Sequence, residues 1–287
     1  MKASEQIAVL RAAGMAPKKS FGQNFLVSDA VLARIAAASV PDSEIGTARV
    51  VELGAGLGAL TSVLVARAAH VTAVERDRDL IPLLERSLAE SVLAERLTIL
   101  EADAQTLDLA ALFANAAGAP RVLAGNLPYQ ITGQLLRLAI EHATILDRVV
   151  FMMQSEVAAR VVSAAGSKEY GALSVFVQAA FSARILEEVP AGAFVPPPRV
   201  TSAVVALVPL KLPRARVKET PIFRALVKAA FGARRKTLRN AWRAVTQDAQ
   251  DLERAATTAG VSLDARGETL DVDAYDRVAR ALAPKEE

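Results

Sequence analysis

Residues 126–129, with the sequence Asn-Leu-Pro-Tyr, follow a short apolar run and could hold a flat ring that carries an amine. Pro128 has a fixed φ and no N–H, and it favours an extended conformation at Leu127, whose carbonyl is then expected to point outward as an acceptor. The side-chain oxygen of Asn126 supplies a second acceptor, and the ring of Tyr129 can stack on the ligand. Two acceptors on one exocyclic amine would direct its lone pair toward an electrophile. Taken alone, the same four residues also fit an ordinary proline turn at the end of a strand.

The composition of the 287-residue chain limits the chemistry that is available. The absence of cysteine excludes disulfide scaffolds, thiolate metal sites and a cysteine nucleophile, which methylation of a pyrimidine carbon commonly uses. The two histidines, His70 and His142, have no metal-like spacing, and no metal site is predicted. The hydrophobic content of 52% supports a large core. Because the chain lacks both an apolar run of membrane length and a signal-peptide core, it is predicted to be cytoplasmic and not bound to a membrane.

The formal charge of +3 is unevenly distributed along the chain. Residues 211–243 contain eleven Lys or Arg against one acid, and residues 1–20 contain four against one. The rest of the chain is therefore acidic overall. A basic band on an otherwise acidic protein predicts a face that binds a polyanion such as RNA, although a solvated helix surface would have the same composition.

Strands and helices are predicted to alternate through the first part of the chain, which is typical of a doubly wound parallel sheet with its site at the carboxyl ends of the strands. The predicted strands are 49–53, 71–74, 97–100, 122–125 and 148–153, with 201–209 as a closing strand, and the predicted helices between them are 59–69, 79–93 and 134–141. Helical periodicity then returns in 222–231, 235–245, 248–259 and 272–282, after a linker bracketed by Pro213 and Pro221. The predicted domains are 1–210, a catalytic domain with a basic arm at 1–20, and 211–287, a basic helical domain.

A nucleotide-type ligand is predicted at the ends of the first three strands. The glycine turn 54–58 lets a ligand approach the backbone beside the start of a helix. Glu75 ends the second strand, where an acid can accept hydrogen bonds from both ribose hydroxyls. Asp103 follows the third strand and could contact an adenine amine. The turn lacks the third glycine of a dinucleotide fingerprint, since position 59 is alanine, so a nicotinamide dehydrogenase is a weaker alternative to a ligand with a cationic sulfonium.

Five segments of the chain resemble, in order, the motifs of the rRNA adenine N6-dimethyltransferases, most closely those of the bacterial enzymes that modify the small subunit. They are 19–26, 51–61, 126–129, 194–200 and 234–240. The resemblance covers nearly the whole chain and implies an α/β fold, with a Rossmann-like class I methyltransferase sheet and a small all-helical C-terminal domain. The related antibiotic-resistance enzymes of the large subunit more often have isoleucine before the motif's proline and lack so long a basic C-terminal domain. The chain departs from the family pattern at Ala55, usually proline, and at 130–132, where Gln-Ile-Thr replaces Asn-Ile-Ser.

The resemblance implies S-adenosylmethionine as the methyl donor and implies which residues bind it. Asn24 and Leu26 would hold the methionine end of the donor, and Gly54 would line its pocket. Glu75 would bind the ribose, and Asp103 would contact the donor adenine.

The resemblance also implies an enzyme that dimethylates two adjacent adenines in a hairpin near the 3′ end of 16S rRNA, within the immature 30S subunit. A monomer is predicted, although the sequence does not determine the oligomeric state. The target base would leave its stack and be sandwiched between Tyr129 and Phe194. Asn126 would bridge the donor and acceptor sites and, with the Leu127 carbonyl before Pro128, would accept hydrogen bonds from the N6 amine. No strong base is required, because the proton becomes acidic only once the nitrogen is quaternised.

Four basic residues, Arg234, Arg235, Lys236 and Arg239, are predicted on one helix, where they would contact RNA phosphates without reading bases. Two other functions remain open. The basic C-terminal domain would equally suit an assembly factor that binds immature small subunits, and the two roles can coexist. DNA adenine methylation would use the same chemistry, although an aspartate in place of Asn126 would be commoner there.

Overall fold

The computed structural model describes residues 3–211, 221–246 and 248–283, so Pro213 in the predicted linker lies outside the described residues. The described residues form two compact units. The sheet unit comprises those up to Ala158 together with Arg184–Val208, and the helical unit comprises Ala159–Ala183 and those from Pro209 onward. The structure thus groups residues 159–183 with the C-terminal helices, and the predicted division of function between 1–210 and 211–287 stays a prediction.

A mixed sheet of seven strands, in the order β4-β3-β2-β5-β6-β9-β7, forms the centre of the sheet unit. The strands of the described residues are β1 (Phe25–Leu26), β2 (Arg49–Leu53), β3 (His70–Glu75), β4 (Leu97–Glu101), β5 (Arg121–Asn126), β6 (Arg148–Gln154), β7 (Phe181–Val189), β8 (Phe194–Val195) and β9 (Ser202–Pro209). Strands β2 to β6 pair with one another in parallel, β9 pairs antiparallel with β6, and β1 pairs separately with β8. Each of the six predicted strands is present.

Two of the three helices predicted in the first part of the chain differ from the structure, and the third, predicted over 134–141, is present and begins two residues earlier. The helices of this part are α1 (Ala3–Ala12), α2 (Asp29–Ser39), α3 (Ala59–Val65), α4 (Ile81–Ser87), α5 (Ala89–Leu93), α6 (Leu109–Leu112), α7 (Thr132–Glu141), α8 (Ser155–Val162) and α9 (Ala172–Ala180). The single helix predicted over 79–93 is wrong, because Leu88 has φ −121° and ψ 23° and separates α4 from α5. The helix predicted over 59–69 ends at Val65.

Strand β7 was not predicted from the sequence. It is the outermost strand on its side of the sheet, and several of its side chains, including Arg184 and Glu188, are exposed or half-buried. An edge strand has a neighbour on one side alone, and its sequence therefore lacks the nearly continuous apolar run of a central strand.

The parallel strands bring the predicted site residues to one edge of the sheet. Glu75 is the last residue of β3 and Asn126 is the last residue of β5, and the two strands lie on either side of β2. Chain order reverses between β2 and β5, and a ligand of an open α/β sheet binds at such a switch point, outside the carboxyl ends of the strands.

The N-terminal helix α1 packs beside this edge. Its side chains Ile7 and Leu10 form one apolar cluster with Leu57 of the glycine turn and with Leu80 and Leu83 at helix α4. The chain then continues into β1, which pairs with β8. The N-terminal segment is therefore packed against the same loops that follow β2 and β3.

The helical unit has its own core around Trp242 and Tyr275, both fully buried. Its C-terminal helices are α10 (Pro221–Gly232), α11 (Leu238–Ala241), α12 (Ala249–Ala259) and α13 (Val272–Leu282). The helix predicted over 235–245 is wrong, because α11 begins only after the extended residue Thr237 and a 3-10 turn replaces its last part. None of the helices in the described residues is long and apolar enough to cross a membrane; the cytoplasmic location stays a prediction.

Candidate active site

A cleft at the carboxyl edge of the sheet is lined by nine of the ten residues that the sequence assigns to the site. They are Asn24, Leu26, Gly54, Glu75, Asp103, Asn126, Leu127, Pro128 and Tyr129. The tenth, Phe194, does not line the cleft. The described residues contain no group of three His, Asp or Glu side chains that could hold a metal ion.

The glycine turn after β2 forms one wall of the cleft. Gly54 and Gly56 both have positive φ, of 76° and 58°, a conformation that side chains other than glycine rarely adopt. A Cβ on Gly56 would also lie 3.2 Å from the ring of Phe25. Ala55 lies between them, and its N–H donates to the Val74 carbonyl at 3.0 Å, a hydrogen bond that the family's usual proline could not make.

Glu75 connects this turn to the end of β3. Its Oε2 accepts from the Gly56 N–H at 2.7 Å, and its Oε1 accepts from the N–H groups of Arg76 and Asp77 at 2.8 Å. Burial raises the pKa of Glu75 above its usual value, and the three backbone hydrogen bonds act against that rise. A carboxylate has about four lone-pair sites, so Glu75 can still accept from a ligand hydroxyl.

Glu52 is a buried acid of the cleft to which the sequence analysis gave no role. It lies on β2 and is 1% exposed. Burial raises the pKa of Glu52 to about 7. The nearby Thr61 hydroxyl acts to lower this pKa, although the two groups are not in hydrogen-bond geometry, and the carboxylate of Glu75 acts to raise it. Its Oε2 has no hydrogen-bond partner among the described residues. The signal in the sequence was a charged residue inside an otherwise apolar strand.

Asn126 is held by the N-terminal segment. Its Nδ2 donates to the Asn24 carbonyl at 3.1 Å, which leaves Oδ1 as an acceptor. Thr132 and Ile131 donate to the Pro128 carbonyl, whereas no described residue donates to the Leu127 carbonyl. The two acceptors predicted from the sequence are therefore both available at this corner of the cleft.

Tyr129 lies next to these acceptors and is fixed at its far end. Its hydroxyl is 2.7 Å from the hydroxyl of Ser202, a fully buried residue at the start of β9. Burial raises the pKa of Tyr129, so the phenol is neutral near pH 7 and can donate or accept in this contact. The contact with Ser202 thus anchors the side chain of Tyr129, which lines the same cleft as Asn126.

Phe194 lies in the core of the sheet unit instead. It is 2% exposed, belongs to the main apolar cluster and pairs with Leu26 across the β1–β8 ribbon. The structure does not bring its ring together with that of Tyr129 at the cleft, and the sandwich of both rings around a base stays a prediction.

The four basic residues predicted to contact RNA have different surroundings in the helical unit. Arg234 pairs with Glu268 at 2.9 Å and also donates to two backbone carbonyls, and Arg239 pairs with Glu253 and Asp264. Their prediction on one helix is wrong, because the first three lie in the turn between α10 and α11. The side chains of Arg235 and Lys236 are exposed.

Most of the chain matches known rRNA methyltransferases. The model of a family described as ribosomal RNA adenine dimethylase matches residues 14–283. A ribosomal RNA small subunit methyltransferase A from Anaeromyxobacter sp. (strain K) is 45% identical over 273 residues, which cover 92% of this chain and 93% of that protein.

Solved structures support the same fold. A dimethyladenosine transferase from Plasmodium falciparum aligns with a TM-score of 0.69 at 21% identity, over 88% of this chain and 94% of that one. The 23S rRNA methyltransferase ErmE aligns with a TM-score of 0.66 at 24% identity, over 90% and 99%. At these identities the two structures show the fold alone, which confirms the predicted methyltransferase fold class. The chain therefore belongs to the ribosomal RNA adenine dimethylase family, which confirms the family, the methyltransferase activity and the S-adenosylmethionine dependence predicted from its motifs.

Proposed function

We propose that the protein dimethylates the N6 amines of two adjacent adenines in a hairpin near the 3′ end of 16S rRNA, in the immature 30S subunit, and acts there as a monomer. The observation that carries the proposal is the meeting of nine site residues in one cleft, with Asn126 bound to Asn24. The choice of the small subunit is supported by the name of the Anaeromyxobacter relative.

The donor side of the cleft fits S-adenosylmethionine. Glu52 has a buried oxygen without a partner, and such an atom needs a ligand or water to satisfy it. The carboxylate of Glu75 suits the ribose hydroxyls, and that of Asp103 suits the adenine amine. Asn24 and Leu26 also line the cleft and would contact the methionine part of the donor. Acidic surroundings also suit a cation. When bound, the donor supplies an electrophilic methyl group on a positively charged sulfur.

The acceptor side orients the adenine amine. The Asn126 Oδ1 and the Leu127 carbonyl accept from the N6 amine and hold its lone pair toward the methyl carbon, so that orientation lowers the barrier. In the transfer, the nitrogen would form a bond to the methyl carbon, and the electron pair of the broken carbon–sulfur bond would go to sulfur. The nitrogen becomes cationic and loses a proton to water, so a neutral Asn126 suffices. The monomethylated amine then turns and reacts once more.

Tyr129 stacks on the target base in this proposal, because its ring lines the cleft and is anchored through Ser202. Phe194 would contribute the second ring face only after its side chain leaves the core, since it is buried in the structure. The two aromatic residues therefore require separate tests.

The test of substrate uses undermethylated small subunits, large subunits and duplex DNA, each incubated with methyl-labelled S-adenosylmethionine. We expect dimethyladenine at two neighbouring positions of small-subunit RNA, found by nuclease digestion and mass spectrometry. Label mainly in large subunits or DNA would overturn the proposal. The Asn126→Ala variant, which we expect to be inactive, serves as the negative control with each substrate.

A role in assembly of the small subunit is supported by the exposed Arg235 and Lys236, which lie outside the cleft in the helical unit. The Asn126→Ala protein should still sediment with small-subunit precursors if binding is a second function. Loss of that association together with methyl transfer would argue against the assembly role.

A further inference from the structure

Residues 15–27, which we call the strap, connect α1 to α2 and form one side of the donor cleft. Ser20 and the six residues after it, 21–26, line the cleft. One end of the strap follows α1, which packs on Leu57, Leu80 and Leu83. At the other end, β1 pairs with β8 and the Val27 N–H donates to the Ala193 carbonyl at 2.8 Å.

The middle of the strap is bound to the loop after β3 by one buried carboxylate. Lys18 Nζ lies 2.5 Å from Oδ1 of Asp77 and 2.5 Å from Oδ2 of Asp79. Gln23 Nε2 donates to the other oxygen of Asp77 at 2.7 Å, and Gln23 Oε1 accepts from the Lys18 N–H at 2.8 Å. Asp77 is 3% exposed and Asp79 is 60% exposed. Both oxygens of Asp77 therefore bind the strap, and Asp79 adds an exposed contact.

An aromatic contact strengthens the same attachment. Two cations lie over the ring of Phe21, Lys18 Nζ at 5.5 Å and the Arg76 guanidinium at 5.6 Å from its centroid. Arg76 also pairs with Asp103 at 3.4 Å. The strap thus contacts the loop after β3 directly, and Arg76 of that loop connects it to Asp103 after β4.

The strap also reaches the catalytic amide. Gly22 has a φ of 63°, and its carbonyl accepts from Asn24 Nδ2 at 3.2 Å. The Asn24 carbonyl in turn accepts from Asn126 Nδ2 at 3.1 Å. A continuous set of contacts therefore joins Asp77 to Asn126 through Gln23 and Asn24.

We propose that Asp77 is a positioning residue for methyl transfer: by binding Lys18 and Gln23 it keeps the strap closed on the donor cleft and keeps the Asn24 carbonyl in place for Asn126. The proposal rests on the proposed function, because dimethylation of two adenines uses four donor molecules and the strap opens for each exchange. Asp77 itself touches neither the reacting nitrogen nor the methyl group.

The expected effects concern the retention of the donor more than the stability of the fold. Asp77→Asn keeps the volume of the side chain and one acceptor oxygen, but removes the charge that attracts Lys18. Lys18→Met removes the other partner from a partly exposed position. We expect each variant to speed dissociation of S-adenosylmethionine by about fivefold and to raise its KM and lower kcat together. Lys18→Arg keeps the charge and should dissociate the donor at nearly the wild-type rate.

The experiment measures dissociation of labelled S-adenosylmethionine in a chase with unlabelled donor, and amide hydrogen exchange of residues 18–24 in donor-free protein. The double variant Asp77→Asn/Lys18→Met should speed dissociation by less than the product of the two single effects, since both substitutions remove the same contact between Lys18 and Asp77. The matched control is Arg78→Gln, which changes a residue of the same loop as Asp77 and breaks its exposed pair with Glu101 of β4. It should leave dissociation and exchange unchanged.

Wild-type dissociation and exchange in Asp77→Asn would overturn the proposal, and so would additive effects in the double variant. A melting temperature close to that of the wild type shows that the variant is folded, and Lys18→Met provides the same test from the exposed side. Donor binding is measured without RNA. If the wild type binds donor and the strap variants release it faster but no rRNA is methylated, the proposed function fails while the role of Asp77 in holding the strap stands.

Discussion

The side chain of Asn126 donates a hydrogen bond of 3.1 Å to the backbone carbonyl of Asn24, which lies 102 residues earlier in the chain. The bond uses the N–H end of the amide, so the oxygen end is left for the amine of the substrate. The same contact joins a residue assigned to the donor with a residue assigned to the reaction. The orientation of the catalytic amide therefore depends on the N-terminal segment.

Replacement of Asn126 by aspartate tests this orientation. The variant keeps the shape and an acceptor oxygen, but it loses the donor to the Asn24 carbonyl and places a negative charge against that carbonyl. We expect kcat to fall by about 100-fold, while the affinity for small-subunit RNA stays within about twofold because no RNA contact is removed. Single-turnover methylation and filter binding measure the two quantities. Equal activity of Asn126→Asp and wild type would contradict the role of the amide N–H.

The contact between Tyr129 and Ser202 predicts a defect specific to the RNA substrate. Tyr129→Phe keeps the stacking ring and loses its anchor, which is worth about 1 kcal/mol and therefore about fivefold in the KM for RNA. Ser202→Ala should have a similar effect, and the double variant should be no worse than either. Donor affinity should not change. Tyr170→Phe removes a buried hydroxyl of the helical unit for which the described residues offer no hydrogen-bond partner, so it is the matched control. A loss of donor binding in Tyr129→Phe would mean that the ring belongs to the donor site.

Two substitutions of Phe194 separate a role in the core from a role at the base. Phe194→Ala leaves a cavity in the main apolar cluster and should cost about 3 to 5 kcal/mol of unfolding free energy. Phe194→Leu restores most of the volume. If the side chain acts only through packing, Phe194→Leu methylates RNA at nearly the wild-type rate. If its ring leaves the core to stack on the target base, Phe194→Leu is stable but has a raised KM for RNA. Thermal unfolding and steady-state kinetics distinguish the two.

The central strands could be predicted from the sequence because each is buried on both faces and reads as an apolar run that ends in a polar residue such as Glu75 or Asn126. Other features depend on tertiary contacts that no local pattern shows. The proline-rich segment after Phe194 is compatible with a ring that points into the core or into the cleft, so the local sequence does not predict its orientation. Arg234 pairs with a residue 34 positions away, Glu268, and a basic run in the sequence does not reveal such a partner. The break of the helix at Leu88 likewise has no glycine or proline to mark it.

Burial of Glu52 predicts a dependence of stability on pH. Its pKa is raised from 4.5 to about 7 in the folded protein, so the folded state binds the proton more tightly than the unfolded state. The stabilising contribution is complete below pH 4.5 and is lost as the pH rises through about 7, at about 1.4 kcal/mol per pKa unit. Glu52→Gln does not titrate, so its melting temperature should exceed that of the wild type by more at pH 8 than at pH 5.

The control for this effect is Glu90→Gln, which makes the same chemical change at an exposed position. Donor binding should also reduce the pH dependence, because a cation in the cleft favours the ionised form of Glu52. A difference between Glu52→Gln and wild type that is constant from pH 5 to pH 8 would mean that the carboxyl does not change its charge in that range.

The ion pairs of the helical unit divide its basic residues into two groups with different expected effects. Arg235 and Lys236 are exposed, so glutamine at either position should weaken RNA binding and reduce the slope of log K against log salt by about 1, with no change in melting temperature. Arg234→Gln loses the pair with Glu268 and two backbone carbonyls, so we expect it to lower the melting temperature and to change the salt slope much less.

Lys236→Arg keeps the charge and serves as the control for Lys236→Gln. Titrations of small-subunit RNA at several salt concentrations measure the slopes. Equal slope changes for Arg234→Gln and Arg235→Gln, with equal stability, would show that Arg234 leaves its ion pair to bind phosphate.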